Sequence, residues 1–278
     1  MNFWQATAGP LLYAHRGASS ECPENTLLSF QRAVELGADV LELDVHPTRD
    51  GVFVVSHDPS GERLAGVSRS IGDCDWSEVA SWDAGIVFED AAGARPYAGK
   101  GIGLARFDQV LATFPEMPLN VDVKEASASA LERLIALLRE ARAEDRVLLT
   151  SFSYRVLRTL RALSYPGALG LSQLDVVRLV FSPRLFARWF PLGGIRAQIP
   201  TRSGAIDLTA PRFLAKCRAL GLRVDYWVVN DAAQAALLLE RGADGLITDD
   251  PRTLAAVFQQ SPHTAAFRAR RSSGTSGR

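Results

Sequence analysis

Three cysteines, Cys22, Cys74 and Cys217, are spread over 278 residues with no CxxC pair. That spacing excludes a disulfide framework and a thiolate zinc site, and a reducing, cytoplasmic setting is expected. Charge of one sign is also lacking: 31 basic residues face 31 acidic ones, so there is no global field to hold nucleic acid. No apolar run approaches the roughly 18 residues that span a bilayer. The start, MNFWQATAGPLL, has no Lys or Arg before its short apolar patch, so no cleaved signal peptide is expected. No Pro/Gly/Ser-rich linker divides the interior, and no GxGxxG follows the first apolar run.

What is present is a globular composition, 47% hydrophobic and 22% charged, in a chain long enough for one large domain. Apolar runs that read as strands alternate with segments of helical periodicity. The strands fall at Leu11–Ala14, Val40–Val45, Leu119–Val123, Val147–Ser151, Ala168–Leu171, Ile195–Ile199, Arg223–Val229 and Gly245–Thr248. Helices are predicted over Asn25–Leu36, Phe107–Phe114, Ala128–Arg142, Tyr154–Leu163, Pro211–Leu220, Ala232–Arg241 and Arg252–Phe258. Eight strands in about 250 residues predict a closed α/β fold, the (β/α)8 TIM barrel, over a doubly wound open sheet. Residues 1–260 form this domain. Pro59 to Gly103, rich in Gly, Asp and Ser, reads as an insertion with one helical piece at Trp76–Trp82 and no clear strand. Residues 261–278, with Arg268, Arg270, Arg271 and Arg278 and no acid, read as a disordered basic tail.

In a parallel barrel the C-terminal strand ends form one mouth. His15, Arg16, Glu42, Asp44, His57, Asp122 and Lys124 would all meet there. Glu42 and Asp44, two apart on a strand, share a face, and their neighbours Leu41, Leu43 and Val45 would face the helices. Two acids inside a barrel repel unless a cation lies between them, so Glu42 and Asp44 are expected to hold a divalent metal. Oxygen ligands suit Mg²⁺, Ca²⁺ or Mn²⁺. Asp122 adds a third carboxylate, and Lys124 with Arg16 would hold an oxyanion such as phosphate. His15 and His57 suit general acid and base roles near neutral pH. His46, further out on the same face as Glu42, is given no role, and His263 falls in the tail. Phe152 and Trp227 are expected to wall the pocket.

The motifs HRG, PENT, ELDV, TRDG, SHD, VDVK, WVVN and DGLITDDP together resemble the glycerophosphodiester phosphodiesterase family from about Leu11 to Phe258. The resemblance implies a TIM barrel that hydrolyses glycerophosphodiesters to sn-glycerol 3-phosphate and an alcohol, with a divalent metal and two histidines. Carried over, His15 and His57 are the acid/base pair, Arg16 and Lys124 phosphate ligands, Trp227 a substrate-side residue, Glu42 and Asp44 metal ligands, and Glu24 a metal or orienting residue. The family's third metal ligand is usually Glu and falls here on Asp122, one methylene shorter. Val228 stands where the family has Thr, and LARFDQVL lacks its usual Pro-Thr-Leu.

Two other readings stand beside this one. A catalytically silent phosphodiester-binding barrel would have no need of both imidazoles. A relative acting on lysophospholipids is favoured by one stretch, Val176 to Gly194, where Phe181, Leu185, Phe186, Trp189 and Phe190 interleave with Arg178, Arg184 and Arg188. That stretch is either a barrel helix or an apolar lip for lipid tails or a membrane surface.

Overall fold

β1 (Leu11–His15) lies between β2 (Val40–Pro47) and β9 (Gly245–Thr248), both parallel to it. In this computed structural model, which describes residues 2–7, 9–124, 126–182, 192–262 and 264, the sheet continues outward on both sides. Beyond β2 come β4 (Leu119–Val123), β5 (Val147–Thr150) and β6 (Ala168–Leu169); beyond β9 come β8 (Arg223–Tyr226) and β7 (Arg196–Ile199). The two outer strands meet, since the Leu171 N–H donates to the Arg196 carbonyl at 2.9 Å and the Ile195 N–H to the Leu169 carbonyl at 2.8 Å. The eight parallel strands are the expected barrel. A ninth, β3 (Phe53–Val55), folds back antiparallel on β2.

Among the described residues eight helices follow the barrel strands: α1 (Leu27–Glu35), α2 (Phe107–Thr113), α3 (Ala128–Glu140), α4 (Tyr154–Ala162), α5 (Gln173–Phe181), α6 (Pro211–Ala219), α7 (Ala232–Arg241) and α8 (Pro251–Gln260). Six begin on a side-chain cap, from Thr26, Ser127, Ser153, Ser172, Asp231 and Asp250, each worth about 1 kcal/mol. These caps sit in the loops leaving the strand ends, so the residues that start helices and those that do chemistry share the same few positions. Leu41, Leu43 and Val45 pack outward with Phe30 and Ala33 of α1 and Val110 and Leu111 of α2, which turns Glu42 and Asp44 inward.

The lower barrel interior is filled by Tyr13, Val40, Leu148 and Ile247 and stoppered by Trp4 of a one-turn helix, Phe3–Ala6. Arg196 is buried there, its guanidinium 5.7 Å from the Trp4 ring and 5.8 Å from the Tyr13 ring. Residues 59–103 do contain strands: Ser60–Gly61 pairs antiparallel with Val67–Ser70. Strands this short and half-exposed give no readable alternation. The helical piece there is one turn, Trp76–Val79, and it closes a small core of Leu64, Ile71, Cys74, Val79 and Trp82. The expected disordered tail is ordered at its start, where Thr264 is buried and its hydroxyl donates to the Phe258 and Ser261 carbonyls; the rest of the tail and part of the aromatic stretch, 183–191, lie outside the described residues. Among the described residues no helix is long and apolar enough to cross a membrane.

Candidate active site

The HRG turn after β1 sets the site. Arg16 and Asn25 both adopt left-handed backbone, φ 59° and 58°, unusual for residues with side chains and characteristic of constrained functional loops. Gly17 has φ 86°, and a Cβ there would lie 2.8 Å from that of Ser29, so the turn can pack against α1 only as glycine. The buried Asn25 donates to Asp44 Oδ2 at 3.2 Å, tying the loop to β2.

A cavity of about 400 Å³ opens above the strand ends, within the usual size of small-molecule sites. His15, Arg16, Glu42, Asp44, His57, Asp122 and Lys124 line one half, and Trp227 lines it too. Glu24 is reached indirectly, accepting from Arg16 Nη1 at 3.0 Å. The predicted site residues thus converge.

The buried acids are unequally served. Lys124 Nζ lies 2.7 Å from Asp44 Oδ1 and 2.6 Å from Asp122 Oδ2, and Arg16 Nε is 3.4 Å from Asp44. Burial alone would raise the Asp44 carboxyl, but the Lys124 and Arg16 charges outweigh it and hold it low. The same carboxylates lift the Lys124 ammonium to about 12 against its own burial. Burial, with Asp44 nearby, leaves Asp122 raised despite Lys124. Glu42 accepts from the Arg16 backbone N–H at 3.1 Å. Burial and then the neighbouring Asp44 push its carboxyl up to about 8.

Among the described residues no three His, Cys, Asp or Glu side chains form a ready-made metal cage, and the Lys124 ammonium bridges Asp44 and Asp122. The donor chemistry nevertheless fits a hard divalent cation: the acids offer oxygen only, and Glu42 is a buried carboxyl whose ionisation the protein opposes.

Each imidazole is backed by a carboxylate that the sequence reading did not name. His15 Nδ1 is 2.7 Å from Asp249 Oδ1, while Asn230 donates to Asp249 Oδ2 at 2.8 Å and Ser19 to its Oδ1 at 3.2 Å. Burial would lower the His15 pKa, but the bond to Asp249 and the charge of Glu42 raise it. His57 Nδ1 is 2.7 Å from Asp58 Oδ1. Asp58 is bridged by Arg63 to Glu24, and Glu24 to Arg16. With Nδ1 so engaged, Nε2 is the nitrogen each ring has left to offer a substrate. His46 Nε2 meets the His57 carbonyl at 3.1 Å, a supporting contact. Asp249 and Asp58 stood in the quoted DGLITDDP and SHD motifs; Arg63, in the insertion, carried no signal.

The other half of the cavity is apolar. Phe152 and Trp227 meet edge to face, centroids 6.0 Å apart, and Leu171, Val176, Val180 and Leu208 continue the wall.

A parallel barrel with acids, cations and imidazoles pooled at the C-terminal strand ends has the form of a barrel enzyme. The family model for the glycerophosphoryl diester phosphodiesterase family matches residues 15–253. The chain belongs to that family of phosphoric diester hydrolases. It is 30% identical over 247 residues to the glycerophosphodiester phosphodiesterase of Caldanaerobacter subterraneus subsp. tengcongensis, covering 88% of this chain and 96% of that one. It is 26% identical to human lysophospholipase D GDPD1, covering 87% and 83%. The fold also matches an Oleispira antarctica phosphodiesterase in complex with its product sn-glycerol-3-phosphate, with a TM-score of 0.74 at 22% identity, covering 91% and 98%.

Proposed function

We propose that the chain hydrolyses glycerophosphodiesters to sn-glycerol 3-phosphate and an alcohol. The observation that carries this is one cavity in which two carboxylate-backed imidazoles flank two cations and three acids. Arg16 and Lys124 bind the phosphodiester anion and take up charge as it grows on the phosphoryl oxygens. One imidazole removes a proton from the attacking water as its oxygen bonds to phosphorus. The other delivers a proton to the alcohol oxygen as its bond to phosphorus breaks. Glu42, Asp44 and Asp122 would hold a divalent cation, Mg²⁺, Ca²⁺ or Mn²⁺, which would supply Lewis-acid stabilisation of the same charge. The test is release of glycerol 3-phosphate from glycerophosphocholine, glycerophosphoethanolamine and glycerophosphoglycerol, with chelator and with each metal restored. No release with any metal would end the proposal, and full release under rigorous chelation would end its metal clause.

The apolar half of the cavity favours a second substrate class, lysophospholipids, the glycerol ester carrying an acyl chain along Phe152, Leu171 and Val180. One relative bears the name lysophospholipase D. Lysophosphatidylcholine assayed beside glycerophosphocholine separates the two. Turnover of the soluble diester alone would discard this class.

A further inference from the structure

Helix α5 presents an apolar stripe to solvent. Leu174, Val177 and Phe181 recur at i, i+3 and i+7 and are all exposed, Val177 by 47% and Phe181 by 71%. The helix already has an inner face, since Leu179 and Asp175 are buried, and Val176 and Val180 line the cavity. A surface helix needs one apolar face for its own core, and a second implies a second contact.

The stripe is not isolated. Of the ten large hydrophobic residues exposed among the described residues, five edge the cavity: Phe152, Val177, Phe181, Ile206 and Val228. They come from separate strand-end loops, the hairpin Arg202–Ser203/Ile206–Asp207 and α5. Apolar residues of the cavity lining therefore reach out to the rim. An acyl chain lying in the cavity would leave over this same lip.

Basic residues outnumber acidic ones on this part of the rim. Arg155 in the first turn of α4, Arg178 within the stripe and Arg202 on the hairpin are exposed. Asp175, buried, accepts from Ser172 and lies 3.9 Å from Arg178, and Asp207, which accepts from Thr209, faces Arg202 across the hairpin, so three arginines stand against two acids. Exposed aromatic and aliphatic side chains set among arginines suit the boundary between acyl chains and anionic headgroups.

We infer that this rim docks the barrel mouth onto an anionic lipid surface, so that an amphiphilic diester passes from the surface to the site without crossing water. The inference builds on the lysophospholipid reading of the same cavity, but its readout is adsorption, not turnover, so the two can fail separately. The experiment is co-sedimentation of the full chain, under chelation, with vesicles of phosphatidylcholine alone or phosphatidylcholine with phosphatidylglycerol. Adsorption should favour the anionic vesicles and fall about tenfold or more in Val177→Ser/Phe181→Ser. Arg155→Glu/Arg202→Glu should erase the preference for phosphatidylglycerol. Because all four side chains are exposed, the variants should melt as the wild type does, which a thermal scan checks. Absence of adsorption, equal adsorption to both vesicles, or unchanged adsorption of Val177→Ser/Phe181→Ser would overturn the inference. So would a dimer in sedimentation equilibrium that the same serine substitutions disperse, since the stripe would then belong to a second copy.

Discussion

At the lower end of the barrel Arg196 and Asp225 are 1% and 0% exposed, and each is fully answered. Asp225 takes two hydrogen bonds from the guanidinium and one from the Tyr13 hydroxyl, and Arg196 gives a further one to the Asp244 carbonyl. At the mouth, buried Asp44 and Asp122 share Lys124, with Arg16 also at Asp44, whereas among the described residues buried Glu42 has no ion-pair partner within 4 Å and feels His15 and Arg16 only from further off. Both ends bury charge within one barrel, and only the mouth does so incompletely. A structural ion pair is selected to be satisfied, whereas a site keeps unmatched charge for what it binds.

Predictions that break this comparison start at the mouth. His15→Ala and His57→Ala should each lower turnover by about 10² to 10⁴, leaving the melting temperature near that of the wild type. Their losses should not add in the double variant, because both serve one reaction. A nitrophenyl diester needs little acid assistance, so it should rescue only the variant that has lost the acid. Equal losses on good and poor leaving groups would sink the division of labour, and wild-type rates in either variant would sink the site.

The lower end should behave in the opposite way. Asp225→Ala leaves Arg196 charged and unpaired in the barrel interior, which should cost about 3 to 5 kcal/mol in urea unfolding, with kcat of the folded fraction unchanged. Arg196→Met/Asp225→Leu removes both charges and should restore most of that stability. If the double variant is as unstable as Asp225→Ala, packing against Trp4 and Tyr13 rather than charge pairing governs this end.

Most of the barrel was legible because its strands are apolar runs between helix caps, and ExD and DxK showed their inward faces by spacing alone. The strand at Arg196–Ile199 was the faintest. Arg196 and Gln198 break its apolar run, and Arg196 points into the interior to a partner 29 residues on. The partners of the histidines were hidden for the same reason: Asp249 lies 234 residues from His15, a pairing made by barrel closure and by no local pattern. Asp58 stood beside His57 in the SHD motif, but adjacency alone does not show that its carboxylate turns back to the ring Nδ1.

Asp249 offers a finer cut. Asp249→Asn keeps the shape beside His15 but removes the charge that helps raise its pKa. Turnover should fall by about tenfold to a hundredfold, within the range that orienting partners of catalytic groups command. The limb of the pH–rate profile governed by His15 should move to lower pH, because the imidazolium loses its stabilising anion. A fall in kcat with no movement of either limb would make Asp249 a packing residue only.

The smallest expected effect isolates the unmatched acid itself. In chelator-stripped protein the folded Glu42 carboxyl has its pKa at about 8 against a reference of 4.5. The folded state therefore holds a proton that the unfolded chain has released, and unfolding stability must fall as pH rises between those values. The contribution is fully present below about 4.5 and gone above about 8. Rearrangement of Asp44, Asp122 and Lys124 will absorb part of the shift, so the loss should be on the order of 1 to 3 kcal/mol. Glu42→Gln is neutral at every pH, so the difference between wild-type and variant urea stability should grow steadily in the variant's favour from pH 5 to pH 8.5. Added Mg²⁺, Ca²⁺ or Mn²⁺ should close that gap by stabilising the wild type, most strongly at the alkaline end where no proton competes for the carboxylate. Parallel stability curves for the two proteins across this range would mean that Glu42 is already compensated, and the contrast between the two ends of the barrel would disappear.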